Sequence, residues 1–326
     1  MKIAIVILNW NGKKLLEQFL PAAVSYSKEA TIYIADNAST DDSINFLKEN
    51  YPGITIIQNN QNGGYAKGYN HALQHIKADV YCLLNSDIEV TENWLQPVIT
   101  QFKSDPNIAA IQPKILDYKN KSKFEYAGAA GGFIDKYGYP FCRGRVFDSI
   151  ETDIGQYNDS IDIFWASGAC FFIKSDIFQK LNGFDTAYFA HQEEIDLCWR
   201  IQNTGHTIKY VGTSTVYHVG GATLTTQNPK KTFLNFRNSL FNLAKNAPKN
   251  KGFELIFTRL CLDGLTGVKY VFELKPLHTL AIIKAHFSFY GQLPKMLKKR
   301  NHTPQKANYY QTKSIVWNYF VKGIKK

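Results

Sequence analysis

Ile3-Ala4-Ile5-Val6-Ile7-Leu8-Asn9-Trp10-Asn11-Gly12 begins two residues into the chain. Six apolar residues, several β-branched, run without a break into a polar turn, the pattern of a strand buried on both faces of a parallel sheet. The run is far shorter than the ~20 residues that cross a bilayer. A polar segment also follows it where a signal peptide would carry its cleavage region. Working outward, Lys13–Tyr26 reads as a helix, Thr31–Ala35 as a strand, Asp41–Glu49 as a helix and Ile54–Gln58 as a third strand. Tyr65–Lys77 has apolar residues at helical spacing; Val80–Leu84 is a fourth strand, Glu92–Lys103 a helix and Ile108–Gln112 a fifth strand. Repeated βα units of this length predict a mostly parallel, right-handed sheet with helices on both faces.

The rhythm breaks near residue 115. Residues 116–160, rich in Gly, Tyr and Asp, read as loops with short strands, and Ile161–Lys174 as one long strand. Glu193–Thr204 fits a helix ended by Gly205, Thr207–Val211 and Thr215–Val219 are two short strands, and amphipathic helices begin near Phe233. The 326 residues are enough for a large α/β domain with an appendage. Five scattered cysteines, none in a CxxC pair, argue against a disulfide framework or a structural zinc site and suit a reducing compartment. Charge is divided unevenly: residues 1–230 carry 20 Lys+Arg against 24 Asp+Glu, whereas residues 231–326 carry 18 against 3. A mildly acidic body with a basic tail of +15 points to an anionic partner for the tail. No nucleic-acid reader motif accompanies that charge, so nucleic acid is not expected.

Ligands of open parallel sheets bind at the carboxyl ends of strands, and polar residues gather at those ends here. Strand one ends in Asn9-Trp10-Asn11-Gly12, strand two in Asp36-Asn37, strand three in Asn59 to Gly64, and strand four in Asn85-Ser86-Asp87. Each alone is ordinary turn chemistry; four in succession predict one lined crevice. Asp36 can accept from a nucleobase or ribose, and Asn62-Gly63-Gly64 before a helix brings backbone N–H groups close to a phosphate. Neither GxGxxG after strand one nor GxxxxGK[ST] occurs, which disfavours dinucleotide redox chemistry and P-loop phosphoryl transfer. Asp87 suits Mg²⁺ or Mn²⁺, which take few protein ligands when phosphates and water supply the rest; Glu89 is its competitor. Glu193-Glu194-Ile195-Asp196 opens a helix after an aromatic loop, Gly183 to Phe189, and His218-Val219-Gly220-Gly221 offers an imidazole at a strand end. Acids in a first helical turn also complement the helix dipole.

The ordered series resembles the family 2 glycosyltransferases with a GT-A fold, in particular the bacterial rhamnosyltransferase-like branch. It rests on Ile7 to Asn11, Asp36 to Asp41, Asn62 to Asn70, Leu84 to Asp87, Gly168-Ala169, Glu193 to Arg200, and His218, over about residues 1–240. The resemblance implies an α/β architecture, a Rossmann-like mixed sheet flanked by helices, and the charge and helical pattern after Phe233 add a basic amphipathic helical extension at the C-terminus. It divides the chain into a catalytic domain, 1–230, with a nucleotide-sugar half (1–115) and an acceptor half (116–230), followed by the basic helical region 231–326.

It also implies roles. Asn9, Asp36, Asn62, Gly64, Lys67, Asn70, Asn85 and Ser86 would bind the nucleotide sugar, of UDP or dTDP type. Asp87 and His218 would hold Mg²⁺ or Mn²⁺, although the triplet here is Asn-Ser-Asp and only its last member is an acid. Trp165, Gly168, Ala169, Asp196 and Arg200 would lie on the acceptor side. The family's Glu-Asp pair stands here as Glu193-Glu194, leaving both open as catalytic base, with Glu194 favoured by position. The expected reaction is an inverting sugar transfer to a glycan or lipid-diphosphate-linked acceptor in surface polysaccharide synthesis. The enzyme is expected in the cytoplasm, peripheral on the inner membrane face through 231–326. Two other readings stand beside it: a sugar-nucleotide nucleotidyltransferase, and a non-catalytic binder of polyanions or lipid.

Overall fold

The computed structural model describes residues 1–220, 228–300 and 308–325. The opening run is β1 (Ile3–Asn9), which is joined in order by β2 (Ala30–Asp36), β3 (Thr55–Gln58) and β4 (Val80–Asn85). They lie side by side as β3-β2-β1-β4, all parallel, with crossovers through α1 (Lys13–Ser25), α2 (Ser43–Asn50) and α3 (Gly64–Leu73). Because successive side chains point to opposite faces, each central strand feeds two cores. Val6, Leu83 and Tyr69 belong to the core beneath α3, and Ile5, Ile7 and Leu84 to the one shared with Leu16 and Leu20 of α1. Fully burying one such side chain contributes about 1.5–3 kcal/mol, which explains the unbroken apolar run.

Beyond β4 come β5 (Ile88–Val90), α4 (Leu95–Ser104) and β6 (Ile108–Asp117), then the small strands β7 (Gly132–Ile134), β8 (Pro140–Cys142), β9 (Arg145–Val146) and β10 (Ser149–Ile150), which form a separate antiparallel sheet. The main sheet is completed by β11 (Ser160–Asp162), β12 (Cys170–Lys174) and, after α5 (Ser175–Lys180) and α6 (Glu193–Asn203), β13 (Thr207–His218). Its order is β11-β13-β6-β12-β4-β1-β2-β3, with β5 on β13. β12 runs antiparallel between β4 and β6, so the sheet is mixed, whereas the βα rhythm alone predicts a mostly parallel one.

Two strand expectations are corrected. Ile161–Lys174 is not one strand, because residues between β11 and β12 bond elsewhere: Phe164 and Trp165 N–H both donate to Gly132 O (2.8 and 3.1 Å), and Ser167 N–H donates to Gln112 Oε1 (2.7 Å). Conversely, Thr207–Val211 and Thr215–Val219 are a single strand with a register slip between Val211 and Thr215. Gly212 N–H leaves the ladder there to donate to Asp159 O.

The C-terminal region folds as α7 (Pro229–Asn246), α8 (Gly252–Phe272), α9 (Pro276–Lys298) and α10 (Ile315–Phe320). Pro229 and Pro276 take first-turn positions, where a missing N–H costs nothing. The expected boundary after residue 230 falls within the first turn of α7. Thr279 Oγ1 donates to Gly267 O (2.8 Å), joining α9 to α8, and Arg259 pairs with Asp263 within α8 (2.7 Å). Tyr139, just before β8, donates to Asp263 (3.0 Å), so α8 rests on the small sheet. Ile315 N–H donates to Asp135 Oδ2 (3.0 Å), returning the end of the chain to the same sheet.

Candidate active site

The polar ends of β1, β2 and β3 meet as a hydrogen-bonded layer. Asn9 Nδ2 donates to Asp36 Oδ1 (3.1 Å) and Ser39 Oγ (3.1 Å), and Ser39 N–H donates to Asp36 Oδ2 (3.0 Å). Both Asn9 and Asp36 are buried, and Asn9 Oδ1 has no hydrogen-bond partner among the described residues. A side chain at Gly12 would strike Asn9 Oδ1 and come within 3.6 Å of Ser86 Oγ, so the ends of β1 and β4 adjoin. Asn37 Nδ2 donates to Asn62 Oδ1 (2.9 Å), which also accepts from Gly64 N–H (3.0 Å), tying the β2 end to the first turn of α3. Lys67 is exposed on that helix. Asn70 uses its amide on the Phe184 backbone, donating to its carbonyl (2.8 Å) and accepting its N–H (2.9 Å), and so anchors the loop before α6.

Past β4, Asn85 N–H donates to Ala169 O (3.0 Å), and Asp87 lies buried opposite His218 at the end of β13. Asp87 Oδ1 is 3.2 Å from His218 Nε2, and Glu125 Oε1 is 3.3 Å from His218 Nδ1. Burial opposes a charge on this ring, but the carboxylates of Asp87 and Glu125 outweigh it and raise its pKa to about 10. Gly221, part of the motif around His218, lies outside the described residues.

The acidic cluster begins α6. The backbone reaches it through three left-handed residues, Phe189 (φ 66°), His191 (68°) and Gln192 (68°), none of them glycine. Glu193 is buried, and its Oε2 has no partner among the described residues. Burial, then the neighbouring Glu194, pushes the Glu193 pKa well above the usual carboxylate range. Glu194 is partly exposed, and burial raises its pKa to about 7. Both glutamates act on the Tyr65 phenol, whose pKa is raised chiefly by burial and whose hydroxyl donates to Gly168 O (2.8 Å). Gly64, at φ +74°, lies so close to this loop that a Cβ would stand 2.5 Å from Phe189 O. The first turn of α3, the Gly168 segment and the loop before α6 are therefore packed against one another.

The other residues assigned to the acceptor side are placed deeper. Asp196 is fully buried between Arg200 (2.9 Å) and Lys245 (2.8 Å). Its burial opposes ionisation, yet Arg200 and then Lys245 prevail and hold its pKa well below the usual range. Trp165 is buried and donates Nε1–H to Phe133 O (2.8 Å). Sequence reading did not single out Glu125, the hydroxyl of Tyr65 or the asparagines of α7. Glu125 is 93 positions from His218 in the chain, and no local pattern joins them.

The Asp87–His218 pair fits a divalent cation held by few protein groups. A carboxylate and an imidazole face one another, and Glu125 Oε1 stands 3.3 Å from the other ring nitrogen, which makes no hydrogen bond among the described residues. Among the described residues no group of three or more His, Cys, Asp or Glu is disposed to hold a metal alone. Such a site needs oxygen ligands from a diphosphate and water.

The model of the family described as "Glycosyl transferase family 2" matches residues 4–181. A relative from Mycobacterium tuberculosis, N-acetylglucosaminyl-diphospho-decaprenol L-rhamnosyltransferase, is 21% identical over 231 residues, which cover 66% of this chain and 75% of the relative. Among solved structures, S. aureus TarS 1-349 in complex with UDP-GlcNAc superposes with a TM-score of 0.59 at 12% identity, covering 92% of this chain and 84% of that one. The mannosyltransferase PcManGT from Pyrobaculum calidifontis, in complex with GDP-Man and Mn²⁺, gives 0.55 at 12% identity over 88% and 86%.

Proposed function

The chain belongs to glycosyl transferase family 2, and from that premise we propose that it transfers a deoxyhexose, rhamnose first among candidates, from a dTDP- or UDP-activated donor to a lipid-diphosphate-linked acceptor in surface polysaccharide synthesis. The observation that carries this reading is the facing pair Asp87–His218, buried where β5 begins and β13 ends.

In this reading Asp36 and Asn9 receive the nucleobase, and the backbone N–H groups of Asn62 to Gly64 lie near the diphosphate. Asp87 and His218 would hold Mg²⁺ or Mn²⁺, with the Glu125 carboxylate close to the far ring nitrogen. The bound cation supplies positive charge where the nucleoside diphosphate departs. Glu194 accepts the proton of an acceptor hydroxyl as that oxygen bonds to the anomeric carbon and the sugar–diphosphate bond breaks with inversion. Its raised pKa suits a base working near neutral pH, and Glu193 keeps a second carboxyl behind it. Trp165, Gly168 and Ala169 shape the acceptor side.

The region 231–326 brings the enzyme to the anionic cytoplasmic face of the membrane, where a lipid-linked acceptor resides. α8 exposes Phe253, Phe257, Leu265, Val268 and Phe272 at helical spacing, and α9 exposes Leu277, Leu280, Ile283 and Phe287. Lys251, Lys269 and Lys275 lie on or beside α8, and Lys284, Lys295 and Lys298 on α9. That is the surface of a helix pair lying in a membrane interface. No helix among the described residues is long and apolar enough to cross a membrane.

The deciding experiment incubates the protein and Mn²⁺ or Mg²⁺ with UDP-, dTDP- and GDP-sugars and a prenyl-diphosphate-linked N-acetylglucosamine. Released nucleoside diphosphate and glycosylated lipid are measured. The reading expects one donor to be consumed with metal and by neither Asp87→Ala nor Glu194→Gln. Failure of every donor to bind by calorimetry would overturn it.

A further inference from the structure

The segment that presents the two glutamates is bent against its own backbone preference. Phe189, His191 and Gln192 are all left-handed, a conformation that residues with a Cβ adopt only when the surroundings impose it. The imposing element is α7. Asn238, with no solvent exposure, directs its Nδ2 at three carbonyls of the loop, Tyr188 O (3.2 Å), Ala190 O (3.0 Å) and His191 O (2.7 Å). Its Oδ1 is held in turn by Arg237 Nε (2.9 Å), which fixes the amide with its donors toward the loop.

One and two turns along the helix the same loop is gripped again. Gln192 Nε2 donates to Asn235 O (3.1 Å), Asn242 Nδ2 donates to Gln192 Oε1 (3.2 Å), and Tyr188 OH donates to Asn242 Oδ1 (2.7 Å). Lys245 bridges Asp185 (2.7 Å) before the loop and Asp196 (2.8 Å) after it. The side of the bend opposite α3 is thus held by a helix that lies outside the residues matched by the family model.

We propose that Asn238 is a positioning residue for the glutamates of α6, and that α7 is thereby part of the catalytic unit rather than of the basic appendage. The inference rests on the reading of Glu194 as the base. Asn238 touches no reacting atom; it sets the bend that decides where the first turn of α6 points. Displacements of about 1 Å in such a group reduce turnover by roughly a hundredfold.

The test uses the full chain carrying Asn238→Asp, which keeps the shape and the Arg237 contact but removes the donors. Gln192→Gly is the second variant: it removes the ties to Asn235 and Asn242 while favouring the left-handed backbone. Three quantities are measured for each: hydrogen exchange of residues 186–194, donor affinity by calorimetry, and the rate of nucleoside diphosphate release. The expected result is exchange at least tenfold faster in 186–194, donor affinity within twofold of the parent, and turnover lower by tenfold or more. Unchanged exchange in the loop, or faster exchange with parental turnover, would overturn the proposal. Should Asn238→Asp fail to fold, Gln192→Gly decides by the same criteria. Glu194→Gln, run alongside, separates the two claims. Loss of turnover with parental loop exchange supports the base, and retained turnover refutes the base while the exchange data still judge the clamp.

Discussion

Asp87 Oδ1 stands 3.2 Å from His218 Nε2 across the seam where β5 pairs with β13, and the two side chains are equally buried. With Glu125 behind it, the ring holds its proton to about pH 10, against the burial that would strip it. A metal ligand must give that proton up. Binding of Mn²⁺ together with UDP or dTDP is therefore expected to release about one proton at pH 7.5 and to tighten as pH rises toward 10. Calorimetry in two buffers of different ionisation enthalpy measures the release. Without metal the sign is that of any raised histidine: the pair stabilises the fold fully below pH 6.5 and loses its contribution as pH rises through 10. His218→Ala should abolish the proton release and weaken the ternary complex tenfold or more.

Glu194 predicts a pH profile. Its pKa is raised to about 7 by burial, and a base acts only when deprotonated, so transfer should climb through pH 7 and level off above 8. The same shift has the opposite sign for stability. The folded protein binds the proton more tightly than the unfolded chain, so this carboxyl favours folding below about pH 4.5 and ceases to as pH rises through 7. Glu194→Gln should thus lose the transfer activity yet melt a few degrees above the parent at pH 8 and level with it at pH 5. A variant that melts lower at pH 8 would show that the carboxylate form is the one the fold favours.

Gly64→Ala tests how closely α3 and the loop before α6 are apposed. A Cβ at φ +74° is strained by roughly 1–2 kcal/mol and would stand 2.5 Å from Phe189 O. Backbone on both sides cannot yield as a side-chain tip can, so the loop should shift. The expected outcome is a melting temperature lower by several degrees and turnover reduced at least tenfold. Gly53→Ala is the control, because nothing lies within 4 Å of a Cβ there.

These relationships show what could be read from the chain beforehand. The parallel half of the sheet was legible because Ile3 to Leu8 and Val80 to Leu84 are buried on both faces and must be apolar throughout. The polar strand ends were legible because Asn9, Asp36 and the triplet Asn85-Ser86-Asp87 each close an apolar run at a turn. The antiparallel insertion of β12 was not, since Phe171 and Phe172 pack alike in either direction. Nor was the role of α7. Asn235, Asn238, Asn242 and Lys245 recur at helical spacing, but polar residues on a basic helix resemble a solvated face until the loop they bind is in place. Glu125 carried no local signal, because its partner is brought to it only by β13 lying beside β6.

The exposed stripes of α8 and α9 give the last prediction. Both stripes lie opposite the faces that bury Leu255, Arg259 and Asp263 on α8 and Ile282, Ala285 and Phe289 on α9, so they point away from the body. Phe253 and Phe272 are 86% and 84% exposed, more than a side chain left over from core packing would be. Each buried phenyl would contribute about 1.5–3 kcal/mol, and each nearby lysine about 1 kcal/mol on an anionic leaflet. The protein should sediment with phosphatidylglycerol vesicles and much less with phosphatidylcholine vesicles, and 0.5 M salt should weaken the first by screening. Replacing Phe253, Phe257 and Phe287 by Ser should lower the vesicle affinity roughly a thousandfold or more at low salt while release of nucleoside diphosphate in solution stays parental. If the triple variant instead converts a dimer to a monomer, with vesicle binding unchanged, a second copy of the chain covers these helices and the membrane assignment is wrong.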